Sequence, residues 1–302
     1  MTPSQPHRPK YLQEDDISQK GRDLLPLLPR EKGWITTFIY QYQGFWYSPQ
    51  ILSSVLACQD HFQAQDTDVL LITAPKSGTT CPHNLVHFLE SQLYFEQVIP
   101  NLASFTSPRL FATHLPYHLL PMSVKDSGCK LVYLCRNPKD TFVSFWHFAN
   151  KIRSKGTGEI PLEECLDAFC RGTSPFGLYW DHVQGYYKAS SEMPERVLFL
   201  RYEDLKEDPH VHVKRLADFL GCPLGKQELM DGTLDGILKM CSFDSLSALE
   251  VNKSGELSIG IGTNWFFRKG EVGDWLNYLS VEMGERIDRV MQEKMHGSGL
   301  KL

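Results

Sequence analysis

The sequence predicts an α/β fold: a single domain with a central parallel β-sheet flanked by helices and a P-loop-like strand–loop–helix that binds phosphate. Short apolar runs rich in β-branched residues alternate with segments of helical apolar spacing, which is typical of parallel sheets covered by helices. Hydrophobic residues make up 42% of the 302 residues, enough for a sizeable core. Because ligands bind at the carboxyl ends of strands in open α/β sheets, we expect the functional site at that edge.

The strands are predicted from apolar runs that are bounded by turn residues, as buried parallel strands are. Three such runs are residues 69–73, 130–135 and 196–202, and the run at residues 109–113 is also strand-like. Apolar residues at helical spacing predict helices at residues 140–151, 181–190 and 209–220. Polar or basic residues follow the strands, which places candidate binding groups at one edge of the sheet.

The beginning of the chain is predicted to differ from the rest. Residues 1–30 are polar and contain several prolines, and we expect them to form a flexible arm. The folded domain is predicted to extend over residues 31–302. Within it, the aromatic-rich segment at residues 34–46 is interpreted as an edge strand or as the wall of a pocket.

Composition and charge exclude several classes of function. The formal net charge is −5, so no general attraction to nucleic acid or to an anionic membrane is expected. The first residues lack the apolar run of a signal peptide, and no stretch of 18 or more apolar residues exists; both observations predict a cytoplasmic protein without a membrane span. The eight cysteines are scattered and are predicted to be reduced, and no cluster of metal-ligand residues indicates a metal site.

The segment Pro-Lys-Ser-Gly-Thr-Thr at residues 75–80 directly follows the first predicted strand. A lysine ammonium, hydroxyl groups and backbone N–H groups at a helix start together suit a phosphate. Pro75 stands where a Walker A loop has a glycine before its lysine, which disfavours a nucleotide triphosphatase or a magnesium-dependent kinase. Taken alone, so short a pattern is equally compatible with a solvated polar turn.

Four further segments complete a motif set: Thr-His-Leu-Pro at 113–116, Cys-Arg-Asn-Pro-Lys-Asp at 135–140, Arg-Tyr-Glu-Asp at 201–204 and Phe-Phe-Arg-Lys-Gly-Glu-Val-Gly-Asp-Trp at 266–275. In this order the set resembles the cytosolic sulfotransferases over roughly residues 40–302, and its details resemble the plant branch of secondary metabolism. The resemblance implies transfer of a sulfonate group from 3′-phosphoadenosine 5′-phosphosulfate (PAPS) to a hydroxyl of a small organic acceptor, such as a flavonoid, steroid, phenol or hormone.

The resemblance also implies roles for individual residues. The 5′-phosphosulfate would be held by Lys76, Ser77, Gly78, Thr79 and Thr80, with Lys76 also stabilising charge on the leaving group. The 3′-phosphate would be held by Arg136, Ser144, Arg268, Lys269 and Gly270. Tyr202 would contact the adenine, with Ser242 and Phe243 nearby. For Arg136 and Arg268 the alternative is surface ion pairing, with Asp140 and Asp274 as candidate partners.

His114 is the predicted catalytic base, which would take the proton of the acceptor hydroxyl; histidine suits this because its unperturbed pKa is about 6.5. The walls of the acceptor pocket are predicted to be aromatic, although core packing is as good an interpretation for each side chain. The candidates are Phe38, Tyr40, Tyr42, Phe45, Trp46, Tyr47, Trp146, His147 and Phe148. Only part of the family's dimer motif is present near Val281, which predicts a monomer or a weak homodimer.

The sequence departs from the family directly after Thr80. The family continues with a tryptophan and a long helix, whereas Cys81 and Pro82 follow here, and the resemblance implies that a segment of roughly two dozen residues or more is missing. Loss of a tryptophan stack on the adenine would cost about 1–3 kcal/mol. Ala112 also stands where animal relatives have a lysine. An alternative therefore stays open: a catalytically impaired paralogue that binds PAPS or its product PAP without efficient turnover.

Overall fold

The computed structural model describes residues 17–78, 105–153, 158–257, 260–300 and 302. Its central sheet contains β4 (Val69–Thr73), β5 (Leu110–Thr113), β6 (Lys130–Cys135) and β7 (Val197–Arg201). The strands are parallel throughout and lie in the order β5-β4-β6-β7. The parallel sheet and its flanking helices confirm the predicted fold class; the helix expected after residues 75–80 lies outside the described residues.

A second, antiparallel sheet precedes the central one. It consists of β1 (Arg30–Lys32), β2 (Phe38–Tyr42) and β3 (Phe45–Tyr47), in that order. The segment at residues 34–46, interpreted as an edge strand or a pocket wall, therefore supplies β2 and the start of β3. It contributes to a pocket wall as well, because Ile35 and Ile39 line the main cavity described below.

The helices surround the central sheet. In the described residues the α-helices are α1 (Gln19–Leu24), α2 (Pro49–His61), α3 (Met122–Asp126), α4 (Pro138–Ile152), α5 (Leu162–Cys170), α6 (Tyr179–Glu192), α7 (Tyr202–Glu207), α8 (Pro209–Leu220), α9 (Lys226–Met230), α10 (Thr233–Met240), α11 (Phe243–Ser247), α12 (Glu250–Ser254) and α13 (Val281–Met295). None of these helices has the length and apolarity that crossing a bilayer requires.

Local sequence signals determine where the site-bearing helices begin. In α4 the Asn137 side chain accepts a hydrogen bond from the Lys139 N–H at 2.9 Å, and Pro138 occupies the first turn. A cap followed by proline is a strong helix start because proline needs no N–H there. Helix α8 begins in the same way, with Asp208 as its cap. Helix α4 thus starts immediately after the end of β6.

The central sheet is buried on both faces, as its continuous apolar strands predict. Alternate residues of β6 show this directly. Tyr133 belongs to the larger core, which packs against α2, α4 and α6. Val132 and Leu134 face the opposite side and pack against Leu216 of α8. Both faces are therefore covered, and the strand ends are left as the place where polar groups can meet a ligand.

The N-terminal segment is described from residue 17 onward. Ile17 is buried, and the Ser18 N–H donates to the Ser53 hydroxyl of α2 at 3.2 Å. Helix α1 thus packs on α2 within the segment predicted to be an arm. Residues 1–16 lie outside the described residues, and the division into an arm and a domain at residue 30 stays a prediction.

Candidate active site

The candidate site is a cavity of about 810 Å3 at the carboxyl edge of the central sheet. Each parallel strand is followed there by a residue singled out from the sequence. Lys76 comes shortly after β4, His114 directly after β5, Arg136 directly after β6 and Tyr202 directly after β7. Parallel strands present their carboxyl ends at one edge, which is why four segments distant in sequence meet here.

The phosphate-loop candidates form a tight turn after β4. Lys76 has a φ of 69° and Gly78 a φ of 109°, so two residues of the loop are left-handed. For a lysine this conformation costs on the order of 1–3 kcal/mol and is characteristic of functional loops. Gly78 is required for a second reason, because a Cβ at that position would lie 2.7 Å from the Tyr202 ring. Thr79 and Thr80 lie outside the described residues.

Ser77 is nearly fully buried in this loop. Its hydroxyl oxygen has no hydrogen-bond partner in the part of the chain that the structure describes. Ser77 itself is not among the cavity-lining residues, but its neighbours Lys76 and Gly78 are. Buried hydroxyl groups are normally satisfied, so an isolated one at this position calls for a ligand. A phosphate or sulfate oxygen is a suitable acceptor for it.

Lys76 has an environment that disfavours its charge. Its ammonium lies 4.4 Å from the ring centroid of Phe148 and 5.2 Å from that of Phe266. Burial first, and then the charges of Arg136, Arg268 and Lys151, lower the pKa of Lys76 from 10.5 to about 7. An anion in the cavity would reverse this, since it would favour the charged amine.

Arg136 links the ends of β4 and β6 to the segment at residues 266–275. Its Nη2 donates to the Glu271 carbonyl at 2.7 Å, and its guanidinium lies 4.8 Å from the Tyr202 ring centroid. The Nε–H has no partner within the described residues. Arg136 is therefore held in place by its surroundings while one donor stays available.

The ion pairs considered as the alternative for Arg136 and Arg268 are present, but they are not surface pairs. Asp140 lies 3.8 Å from Arg136, and both side chains are almost fully buried. The carboxylate of Asp274 is buried and accepts hydrogen bonds from Arg268 and, at 2.6 Å, from Lys269. Burial opposes ionisation of Asp274, yet these donors lower its pKa from 3.8 to about 2. The basic groups line the cavity and are oriented by buried carboxylates.

Asp140 has a further role that the sequence did not reveal. Its carboxylate accepts the backbone N–H groups of Gly273 at 2.8 Å and Trp275 at 3.0 Å. The carboxylate thus fixes the loop that carries Arg268 and Lys269 against the start of α4. The only available signal was the presence of both aspartates inside the two motif strings.

The predicted adenine end is closed by aromatic groups. The Tyr202 hydroxyl donates to the Gly270 carbonyl at 2.7 Å. Gly270 packs under Phe243 so closely that a Cβ would lie 2.5 Å from its ring. Ser242 caps α11 by accepting the Ser245 N–H at 3.2 Å, and Ser144 of α4 also lines the cavity.

His114 has a defined tautomer in this geometry. Its Nδ1 lies 2.8 Å from the Thr73 carbonyl oxygen, which can only accept a hydrogen bond. Nδ1 therefore carries the proton, and the lone pair of the neutral ring lies on Nε2. The ring also packs edge-on against Phe176, with centroids 5.5 Å apart. An imidazole in this form can accept a proton at Nε2.

The aromatic walls are formed mostly by other residues than the predicted candidates, for several of which the alternative of core packing applies. Among the nine candidates only Phe148 lines the cavity, whereas Phe45 and Tyr47 belong to the core. The apolar walls of the cavity include other residues: Ile35, Ile39, Ile51, Phe145, Phe176, Ile261 and Phe266. Ile35 and Ile39 lie in the segment at residues 34–46 that was interpreted as a possible pocket wall, and Phe266 lies within the 266–275 string; the other residues carry no sequence signal. Within the described ranges no group of three or more His, Cys, Asp or Glu side chains could hold a metal ion.

Comparison with known proteins agrees with this geometry. The sulfotransferase domain family matches residues 80–299 of the chain. Cytosolic sulfotransferase 12 of Arabidopsis thaliana is 45% identical, with 97% of each chain covered. The crystal structure of an Arabidopsis thaliana "putative steroid sulphotransferase" has a TM-score of 0.76 and 38% identity, covering 98% of this chain and 100% of its own. A mouse sulfotransferase complexed with PAP has a TM-score of 0.71 and 28% identity, covering 86% and 95%.

The alignment with cytosolic sulfotransferase 12 also bears on the shortened segment. It extends over 321 positions, while the aligned part of this chain is 97% of 302 residues. More than two dozen positions of the relative therefore have no counterpart in this chain. This agrees with the number of residues predicted to be missing after Thr80. The cytosolic name of the relative agrees with the predicted cytoplasmic location.

Proposed function

This chain belongs to the sulfotransferase family and is a sulfotransferase, and from that premise we propose that it transfers a sulfonate group from PAPS to the hydroxyl of a small, largely apolar acceptor. The observation that carries the proposal is the convergence of Lys76, Arg136 and Lys269 on the cavity that also contains His114. These residues come from both halves of the chain. They provide anion-binding groups and a proton acceptor in one place.

The described residues fit PAPS in chemistry. The Ser77 hydroxyl and the Nε–H groups of Arg136 and Arg268 are buried donors without partners in the described part of the chain, as expected of groups that bind phosphate oxygens. The close packing of Gly78 and Gly270 keeps side chains out of the cradle between Tyr202 and Phe243. The mouse structural neighbour is complexed with PAP, the product that PAPS leaves, which supports the same nucleotide here.

Bound PAPS supplies an activated sulfonate group. His114 Nε2 would accept the proton of the acceptor hydroxyl while that oxygen forms its bond to sulfur. Lys76, in its protonated form, would stabilise the negative charge that develops on the phosphate oxygen when the sulfur–oxygen bond breaks. Proton acceptance by a positioned imidazole contributes about 10²–10⁴-fold in rate. The residue roles of this scheme are proposals.

The acceptor is proposed to be a flat phenol, flavonoid or steroid-like alcohol. Phe145, Phe148 and Phe176 give the cavity aromatic walls, and isoleucines complete them. Such walls bind apolar rings, while a few polar groups fix orientation. The name of the Arabidopsis thaliana structural neighbour includes steroid sulphotransferase, which supports steroids as one class to test.

The test measures transfer of labelled sulfonate from PAPS to a panel of phenols, flavonoids and steroids, together with PAP binding by calorimetry. The expected result is product formation with at least one class, and loss of product in His114→Ala with PAP affinity unchanged within about twofold. His118→Ala is the matched control, because His118 is an exposed histidine a few residues further along the chain. Full turnover by His114→Ala would overturn the assignment of the base.

A second candidate function is PAPS or PAP binding with impaired turnover. Two observations favour it. More than two dozen positions of cytosolic sulfotransferase 12 have no counterpart in this chain, and Cys81 stands where the family resemblance implies a tryptophan. The same experiment separates the two functions. Stoichiometric PAP binding by a well-folded sample, without transfer to any acceptor class, would establish the second and exclude the first.

A further inference from the structure

One buried face of helix α6 holds the backbone at the ends of two site-bearing strands. Tyr179, His182 and Tyr186 follow helical spacing, and each side chain is nearly or fully buried. The Tyr179 hydroxyl donates to the carbonyl of Arg136. His182 and Tyr186 reach the segment that follows β5.

The two contacts of α6 with the segment after β5 fall on adjacent carbonyl groups. His182 Nε2 lies 3.0 Å from the His114 carbonyl oxygen, and the Tyr186 hydroxyl donates to the Leu115 carbonyl at 2.8 Å. Residues four apart on a helix lie on the same face, so one rigid element makes both contacts. The backbone of the proposed base is therefore fixed from one side.

The ring of His182 is oriented by its second nitrogen. A carbonyl oxygen accepts, so Nε2 of His182 carries the proton and Nδ1 of the neutral ring accepts the Tyr133 hydroxyl at 2.9 Å. Burial lowers the pKa of His182 from 6.5 to about 3, so the ring stays neutral at working pH.

These contacts hold the proposed base from two sides. His114 Nδ1 donates to the Thr73 carbonyl at the end of β4. A separate chain of hydrogen bonds leads from the Tyr133 hydroxyl through His182 to the His114 carbonyl. Both the side chain and the main chain of His114 are therefore held, which fixes the direction of its Nε2.

We propose that His182 is a positioning residue, which fixes the backbone of His114 and thereby aims the His114 ring at the reacting hydroxyl. The inference rests on the proposed function of His114 as the base. His182 is absent from the described cavity lining. It acts through the main chain, and such positioning matters because a displacement of about 1 Å can cost on the order of 100-fold in rate.

The test compares His182→Gln with His182→Leu. Glutamine places an amide N–H near the position of Nε2, whereas leucine leaves the carbonyl of His114 without its donor. We expect His182→Leu to lower kcat about tenfold or more, with PAP affinity unchanged within about twofold, and His182→Gln to retain most of the rate. Long-range nitrogen–proton NMR of the His114 ring should show one tautomer in the wild type and the Gln variant and a mixture in the Leu variant.

Tyr186→Phe is the second variant, because it removes one hydroxyl and keeps the ring stacked on Tyr133 at 4.5 Å. It should lower kcat without changing PAP affinity even where His182→Leu does not fold. Tyr187→Phe, the neighbouring tyrosine of the same helix, is the matched control and should be silent. Wild-type kcat in both Tyr186→Phe and His182→Leu would overturn the proposal, as would parallel losses of kcat, PAP affinity and melting temperature that glutamine does not rescue.

The outcomes separate this proposal from the proposed function. If the His114→Ala variant is active, the assignment of His114 as the base is wrong, and the positioning role falls with it. If the His114→Ala variant is inactive but His182→Leu and His182→Gln keep the wild-type kcat, only the positioning role of His182 is wrong. Where the wild type binds PAP without turnover, the NMR tautomer of His114 decides: an identical His114 spectrum in His182→Leu would overturn the proposal.

Discussion

At the residue scale, Lys76 departs most from the behaviour of a surface lysine. Its half-buried side chain places the ammonium beside Phe148 and Phe266 and near the charges of Arg136 and Arg268, with no ion-pair partner in the described ranges. Partial loss of water and the nearby positive charges both disfavour an unpaired ammonium, and they lower the pKa of Lys76. The Lys76 amine is therefore largely neutral in the site without ligand at a pH above 7, and it becomes charged when an anion binds.

Lys76 therefore predicts proton uptake on nucleotide binding. With a pKa of about 7, Lys76 is mostly neutral at pH 8 in the free protein. A bound phosphate raises the pKa of Lys76, so PAP binding at pH 8 should take up close to one proton, and PAP affinity should fall as pH rises above 7. Calorimetry in two buffers with different ionisation enthalpies measures the uptake.

The controls for proton uptake use two lysines of the same site. Lys76→Met should abolish the uptake. Lys269→Met should weaken PAP binding but leave the proton uptake unchanged. The hydrogen bond to Asp274 raises the pKa of Lys269, so that lysine is already charged before PAP binds. Wild-type binding at pH 8 without proton exchange would contradict a neutral Lys76 in the free site.

Gly78 gives a second residue-scale prediction. Gly78→Ala adds a Cβ 2.7 Å from the Tyr202 ring at a φ of 109°, so both the loop and the ring must shift. PAP affinity should fall about tenfold or more, measured by calorimetry. Gly221→Ala is the matched control, because Gly221 also has a positive φ but no atom near its added Cβ. Equal PAP affinities in the two variants would contradict a steric requirement at the loop.

At the scale of elements, α4 and the segment at residues 266–275 form one unit. Asp140 in the first turn of α4 accepts the N–H groups of Gly273 and Trp275, and Arg136 donates to the Glu271 carbonyl. Asp274 in turn orients Arg268 and Lys269. The start of α4, the end of β6 and the segment at residues 266–275 are thus joined into one unit by hydrogen bonds. These bonds fix the positions of the anion-binding groups.

Asp140→Asn tests this union. The amide replaces one acceptor oxygen, so one buried N–H of the loop loses its partner and the negative charge near Arg136 is removed. We expect about 1–3 kcal/mol of destabilisation in urea unfolding and weaker PAP binding, because loop and ligand site loosen together. Asp288→Asn is the control. The partner of Asp288 is Lys139, which lies next to Asp140 on α4, but Asp288 itself is partly exposed, so the loss of stability should stay below about 1 kcal/mol. Unchanged stability of Asp140→Asn would contradict the role of the carboxylate.

The elements differ in how far the sequence predicted them. The central strands were predicted nearly residue for residue because their apolar β-branched runs end at turn residues. Helix α8 agrees with its prediction at both ends, since its apolar period is bounded by Pro209 and Gly221. Helices α9 to α12 were not predicted, because helices of five to eight residues are too short to show a period. Most residues of the pocket walls followed no motif, since any apolar side chain can line them.

At the scale of the whole molecule, the site depends on topology more than on any local segment. Parallel strands in the order β5-β4-β6-β7 bring His114, Lys76, Arg136 and Tyr202 to one edge in spatial sequence. The strands themselves are mostly apolar, and the residues that follow them carry the groups proposed to bind and react. The segment at residues 266–275 then closes the far end of the cavity, so the nucleotide would join two halves of the chain.

If the nucleotide binds at both ends of the cavity, variants at the two ends should change the ligand-induced rise in melting temperature in different ways. PAP at 100 times its Kd should stabilise the protein by about 2.7 kcal/mol, seen as a rise in melting temperature. Lys76→Ala should reduce the rise caused by PAP and by AMP, because both carry the 5′-phosphate. Lys269→Ala should reduce the rise caused by PAP only, because AMP lacks the 3′-phosphate that Lys269 is proposed to bind. A Lys269→Ala variant with wild-type responses to both nucleotides would place the 3′-phosphate elsewhere and separate the two halves of the proposed site.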